Sequence, residues 1–319
     1  MKLTKSFSRI GQRFCLSQNK MVNRWTLMLP GAGCEYYKKS GGCMMCGFYK
    51  ANKNYSLGLV YPPVVFKGLY KIAEKEISSL QPQELFLYNG GSFFNSREIP
   101  ENFVKYLFES VRKHPTLERV MVESRVEYIN KNKIDSSLTA LGNKKLLIGI
   151  GLESKNDHVR NNLIHKGLSL KDFKEAVIRA RESGAQILAY VFLKPLGLTE
   201  KEALEDTWKT IEYCQSLGIE EIEMSCAFIQ PGTKMAEAYR REEFRPPNLW
   251  TIINIIQRAT DAGWTISIGS FNDEPPPIAI PNNDCPDNCS PLIYQLIDNY
   301  RRTGQLNFLQ LPQCYCRQP

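Results

Sequence analysis

Three cysteines, Cys34, Cys43 and Cys46, stand at Cys-x8-Cys-x2-Cys in a stretch that also carries Gly41, Gly42 and Gly47. Thiolates are preferred ligands of zinc, other soft metals and iron–sulfur clusters, and glycines let a backbone bend tightly around such a group. Three thiols cannot saturate four irons, so a four-iron cluster held here keeps one iron open to an outside ligand. Spacing alone leaves an incomplete zinc knuckle, or unligated thiols beside a turn, equally open. A second set, Cys285-x3-Cys289 and Cys314-x-Cys316, supplies four thiolates, the number that closes a tetrahedral zinc site. Structural zinc is the expectation for it, with a second iron–sulfur cluster or no metal as alternatives. Cys15, Cys214 and Cys226 stand alone and read as packing residues.

The rest of the composition sets the surroundings for these thiols. Ten cysteines, with no continuous apolar h-region in the first twenty residues, point to metals in a reducing cytoplasm rather than to disulfides. No apolar run approaches the ~18 residues of a membrane span. A net charge of +8 from 41 basic and 33 acidic residues favours a polyanionic partner such as RNA. Lys2, Lys5, Arg9, Arg13, Lys20 and Arg24 all precede the first acid, Glu35, so residues 1–23 read as a basic arm, either a solvated tail or a phosphate-contacting segment. Phe7, Ile10 and Phe14 recur in it at near-helical spacing, as in an amphipathic turn.

Elements that could position the cysteines follow in alternation. Strand-like runs at Trp25–Leu29, Glu84–Tyr88, Arg119–Val122, Lys145–Ile150, Gln186–Leu193 and Ile219–Met224 are separated by segments of helical period. Thr199 with Glu202 forms a capping box. Six strand–helix units predict an α/β fold with a parallel sheet, doubly wound or a partial or full (β/α) barrel. Cys34, Asn89–Ser92, Glu123, Arg125, Glu153, Ser154, Lys194 and Ser225 all follow strand ends, and a barrel gathers those ends on one face. We therefore expect a barrel over 24–270 and, past the Asn272–Pro277 break, a cysteine-rich module over 271–319.

The motifs taken together resemble a known family. Cys34, Cys43 and Cys46, Asn-Gly-Gly-Ser at 89–92, Glu-Ser-Arg-Val-Glu-Tyr-Ile at 123–129 and Gly-Leu-Glu-Ser at 151–154 look like a radical S-adenosylmethionine enzyme of the Elongator-catalytic-subunit-like branch. Phe-Leu-Lys-Pro at 192–195, Thr-Glu-Lys-Glu-Ala at 199–203, Pro-Gly-Thr at 231–233 and the terminal cysteines narrow the likeness to radical subunits of archaeosine synthases and their relatives. It covers residues 24–319.

The resemblance implies a [4Fe–4S] cluster on Cys34, Cys43 and Cys46, whose open iron chelates the amino and carboxylate groups of S-adenosylmethionine. One electron, from a donor such as flavodoxin or ferredoxin, then releases a 5′-deoxyadenosyl radical that abstracts hydrogen from substrate. Asn89, Gly90, Gly91 and Ser92 would meet the methionine amino group, with Ser92 where the family carries an acid. Glu123 and Arg125, two apart at a strand end, would pair or clasp the cofactor's carboxylate and ribose, and Val126 stands where proline is common. Glu153 and Ser154 would read ribose hydroxyls; Arg160, Lys166 and Lys194 would face substrate, Lys194 holding a phosphate or carboxylate. His158 and His165 read as structural or substrate-facing. The implied reaction is C–N cleavage of a lysine adduct on a 7-deazaguanine in tRNA. The RNA would be gripped by the arm, by Arg240, Arg241 and Arg245, or through a partner subunit. Radical chemistry on a peptide or small metabolite, and a non-catalytic metal-stabilised RNA-binding module, are the alternatives.

Overall fold

The computed structural model describes residues 7–50, 58–271 and 276–317. Lys2 and Lys5 of the basic arm, and residues 272–275 of the predicted break, lie outside that range. Within it, eight strands follow one another in sheet order as they do in the chain: β1 (Ser8–Cys15), β2 (Lys20–Met28), β3 (Glu84–Tyr88), β4 (Arg119–Glu123), β5 (Lys145–Glu153), β6 (Gln186–Leu193), β7 (Glu221–Cys226) and β8 (Ser267–Ile268). β1 runs antiparallel to β2, and every later pair is parallel.

Helices fill the crossovers: α1 (Glu35–Ser40), α2 (Pro63–Ile77), α3 (Glu101–Lys113), α4 (Lys131–Leu141), α5 (Leu170–Glu182), α6 (Glu200–Ser216), α7 (Lys234–Arg240), α8 (Leu249–Asp261) and α9 (Ser290–Thr303). Alternate side chains of each central strand go to opposite faces. Leu146, Ile148 and Ile150 of β5 join the large core beneath the helices, whereas Leu147 meets Phe86, Met121 and Leu188 in a small inner layer. Burial on both faces explains the unbroken apolar runs of β5 and β6. The Thr199 box caps α6 as read from the sequence, its hydroxyl accepting from Glu202 N.

The inner face is curved, and one residue shows by how much. Arg119, at the start of β4 and fully buried, ion-pairs with Glu84 on β3 and with Glu221 on β7. Across a flat sheet β4 and β7 would stand ~14 Å apart at ~4.8 Å per strand, well beyond an arginine side chain. The sheet therefore bends into a half-barrel closed at its base by this cluster. Arg119 also donates to Ser17 Oγ at 3.0 Å and Cys15 Sγ at 3.3 Å, so β1 is tied in as well.

Two expectations about charge change here. Residues 8–15 of the basic segment form β1 in place of an amphipathic turn, because their N–H and C=O groups pair with β2 from Ser8↔Leu27 to Cys15↔Lys20. Arg24 bonds Glu84 at 2.9 Å and lies 3.6 Å over the Phe86 ring, so its charge is already engaged on the inner face. Arg241 and Arg245 pair locally with Glu243 and Glu242, at 2.8 and 3.7 Å.

Removing Arg119 leaves two buried carboxylates without their cation. Arg119→Ala should lower stability by about 3–5 kcal/mol, read as a lower guanidinium midpoint at unchanged m-value.

Candidate active site

The cysteine loop leaves the carboxyl end of β2 and is held by neighbours rather than by its own length. Cys34 stands at the N-cap of α1, and Gly41 ends that helix in the left-handed region at φ 82°. Gly42 follows at φ 74°, and a Cβ there would sit 2.2 Å from the Tyr37 ring. That space lets Tyr37 stack on Tyr49 at 4.2 Å and 11°, closing the loop. Met44 N donates to Ile164 O at 2.9 Å, and Cys46 N to Cys43 O at 3.1 Å. Burial raises all three thiols, Cys46 to about 12. Among the described residues, the C-terminal four are the metal-ligand group drawn within 4.8 Å. The loop thiols are not drawn that close together.

Asn89–Ser92 leaves the end of β3 and packs directly on this loop. A Cβ on Gly91 would lie 3.2 Å from Cys34 Cα and 2.0 Å from Glu98 Oε2. Glu98, which sequence reasoning missed, accepts from Glu35 N at 2.9 Å, Asn95 Nδ2 at 3.0 Å, Asn89 Nδ2 at 3.4 Å and Ser92 N. An acid from a short turn farther along thus packs against the Asn89–Ser92 backbone. Its local sequence, Asn95-Ser96-Arg97-Glu98, reads as an ordinary charged turn and gives no signal of that role.

Glu123 and Arg125 part company. β4 ends at Glu123 and a 3-10 turn opens at Val126, so the two-residue period no longer holds between them. Glu123 turns into the barrel. Burial raises its carboxyl to about 7, against a hydrogen bond to Tyr190 and reinforced by Glu223. Arg125 donates to Glu127 Oε1 at 2.6 Å, Lys166 O at 2.9 Å and Gly167 O at 3.0 Å, and lies 3.9 Å over the Tyr36 ring. Tyr36 itself donates to His165 O at 2.8 Å. Arg125 is therefore a brace between α1 and the 165–167 loop.

The remaining predicted residues divide. Glu153 adopts φ 68°, strained for a non-glycine residue, and its carboxylate meets Lys166 Nζ at 2.7 Å. Burial works against the Lys166 ammonium, but Glu153 and Cys43 outweigh it and raise its pKa, placing this pair beside the cysteine loop. Ser154 is buried and donates to Asp206 Oδ1 at 2.8 Å. Arg160, expected at the substrate, is fully buried. It donates to Leu168 O at 2.6 Å, Ser154 O at 2.9 Å and Lys155 O at 3.2 Å and pairs with Asp157, clamping the π-helical turn at His158–Leu163. Lys194, at φ 62°, pairs with Glu200, which also accepts from Asn248 N at 2.7 Å and Thr251 Oγ1 at 2.6 Å.

The four C-terminal thiols do converge. Sγ separations are 2.9 Å for Cys285–Cys314, 3.3 Å for Cys289–Cys316 and 3.2 Å for Cys314–Cys316. Trp250 Nε1 donates to Cys316 at 3.1 Å and Asn283 Nδ2 to Cys289 at 3.1 Å, the kind of outer donors that steady thiolate ligands. The hydrogen bond from Cys314 lowers the Cys285 thiol to about 7 and raises that of Cys314.

With this geometry in view, the chain can be set beside known proteins. No family model matches it. It is 26% identical over 299 residues to the archaeosine synthase subunit beta of Methanosarcina acetivorans, covering 92% of this chain and 82% of that one. An uncharacterized protein of Methanocaldococcus jannaschii is 28% identical over 299 residues, with coverage of 92% and 79%. Among solved structures, Methanocaldococcus infernus Elp3 aligns with TM-score 0.56 at 15% identity, over 77% of this chain and 62% of that one. Methylornithine synthase (PylB) aligns with TM-score 0.52 at 14% identity, over 78% and 65%. The chain thus spans less than two thirds of the length of either structure.

The fold is the α/β half-barrel of radical S-adenosylmethionine enzymes. Within that class the chain resembles the Elongator-catalytic-subunit-like branch and is similar to archaeosine synthase beta subunits, as its motifs implied. No helix among the described residues is long and apolar enough to cross a membrane.

The Glu123 carboxyl carries a prediction of its own. Its folded pKa lies above the ordinary 4.5, so between about pH 4.5 and 7 the folded chain binds the extra proton and stability falls as pH rises. The fall should total about 3 kcal/mol, and Glu123→Gln should flatten that part of a stability–pH curve measured by denaturant unfolding.

Proposed function

We propose that this protein is a radical S-adenosylmethionine enzyme that holds a [4Fe–4S] cluster on Cys34, Cys43 and Cys46 and modifies a nucleobase in tRNA. The observation that carries the reading is the cysteine loop packed against the glycine turn of β3. Of three partly accessible thiols, Cys34 lies beside Gly91, where the absence of a Cβ brings the two backbones close. The donor set fits the group: three soft thiol ligands in one short loop, one fewer than a closed site takes, with the Asn89–Ser92 backbone alongside. When bound, the cluster supplies the electron that cleaves S-adenosylmethionine to methionine and a 5′-deoxyadenosyl radical.

The chain's own residues do the rest. Asn89, Gly90, Gly91 and Ser92 offer backbone groups to the methionine end, and Lys166, anchored by Glu153 and near Cys43, supplies positive charge beside the anionic cluster. Arg125 keeps the 165–167 loop over α1 and so limits water at the thiols. Glu123, with its pKa near neutrality, takes or gives a proton at the lumen side of the substrate. The relatives named archaeosine synthase subunit beta support a tRNA base as substrate, with C–N cleavage as the reaction, and a partner subunit. The net charge of +8 accords with a polyanion. A flavodoxin- or ferredoxin-type donor supplies the electron. Structural zinc fits the closed Cys285, Cys289, Cys314 and Cys316 site, with its four thiols and outer donors.

Anaerobic reconstitution with iron and sulfide, followed by reduction and addition of S-adenosylmethionine, should yield 5′-deoxyadenosine by chromatography. Cys43→Ala should abolish both cluster and product; turnover retained in that variant sinks the proposal. Cys314→Ala should leave cluster loading intact while lowering zinc content and the unfolding midpoint, since metal binding and folding are coupled.

A further inference from the structure

Glu98 lies outside every motif that carried the functional reading, yet it touches both halves of the site. Its side chain is buried, at 2% exposure, so water cannot replace a lost partner. An ionised carboxylate only accepts, through two oxygens with about four lone-pair sites. Here four donors occupy them. Oε1 takes Glu35 N at 2.9 Å and Asn95 Nδ2 at 3.0 Å; Oε2 takes Ser92 N and, at 3.4 Å, Asn89 Nδ2. Glu35 is the residue after Cys34, and Ser92 closes the glycine turn of β3. One carboxylate thus joins the main chains of the two loops, and Gly91 leaves room for it.

We infer that Glu98 is a positioning residue that fixes the spacing between the cysteine loop and the Asn89–Ser92 turn. Its effect on the cofactor rests on the function proposed above; its effect on the two loops does not. The chemistry admits no close substitute. Glutamine turns one acceptor into a donor, which must then face N–H groups on one side or the other. Aspartate withdraws the acceptors by ~1.5 Å, one methylene, and cannot reach both loops.

The test has two arms, run on the full chain. In the metal-free protein, hydrogen exchange at the Glu35 and Ser92 amides should speed up at least ten-fold in both E98Q and E98D, with Val122 in β4 unchanged. Wild-type protection at either amide in a folded variant overturns the inference. Loss of protection at Val122 in both variants also overturns it, since Glu98 is then simply needed for folding. In the reconstituted protein, S-adenosylmethionine should bind at least ten-fold more weakly to the variants at equal iron content, and equal affinity overturns the link to the cofactor. A wild-type chain that neither loads iron nor binds S-adenosylmethionine defeats the proposed function and leaves the first arm standing.

Discussion

An irregular loop cannot hold three thiols in place with its own hydrogen bonds, and the top of this barrel is organised by that constraint. α1 is six residues long, far short of a helix stable by itself. Its ends and the turns beyond it are secured from elsewhere: by the Glu98 carboxylate at Glu35 N, by Ile164 O at Met44 N, by His165 O at Tyr36 and by the Tyr37–Tyr49 stack. Lys50 adds a bond to Gly232 O in the loop after β7. The Pro-Gly-Thr stretch at 231–233 therefore supports the loop of Cys46 as well as capping α7 through Thr233.

These supports meet because parallel strands with helical crossovers deliver every carboxyl end to the same face. The opposite end has a different task. There Arg119, Glu84 and Glu221 bury three charges, an arrangement that adds little net stability over apolar residues yet is costly to break. What the cluster supplies is a fixed curvature, since one guanidinium must satisfy carboxylates on β3 and β7 together. Curvature at the base in turn sets how far apart the loops stand at the top.

Some of this was legible in the sequence and some was not, for identifiable reasons. β2 to β7 were plain because strands covered on both faces read as apolar runs. β1 was misread because Ile10 and Phe14 are four apart, a spacing that fits one face of a helix and one face of a strand alike. α4 escaped notice because Lys131, Asn132, Lys133, Asp135 and Ser136 dilute its apolar face, although Asn130 caps it by accepting from Lys133 N at 3.0 Å. β8, with two residues, carries no periodicity at all. At the site, residue type announced the thiols and the glycine turn. It could not announce which cations were already engaged: Arg160 by Asp157 and backbone carbonyls, Lys194 by Glu200 and Arg125 by the 165–167 loop. Partners such as these are set by tertiary approach, and Glu98 was invisible for the same reason.

The two thiol sets differ in a way that assigns them different work. The loop thiols receive backbone hydrogen bonds, from Tyr36 and Tyr37 at Cys34 and from Phe48 and Tyr49 at Cys46, and they number one fewer than a closed site needs. The C-terminal four lie in mutual contact and receive bonds from Trp250 on α8 and from Asn283. A metal there leaves no open position and so acts on folding. Its lever is α9, which starts just after Cys289 and packs against both edge strands of the half-barrel, β1 and β8. Tyr300 donates to Ile266 O at 2.8 Å and Arg301 to Ile268 O at 3.2 Å, fastening the helix beside β8, while Phe14 of β1 rests on Gly304. A metal pinning the start of α9, at the same carboxyl-end side as the β6–α6 junction, would therefore hold the helix that runs from there to the base and covers the gap left by an open sheet.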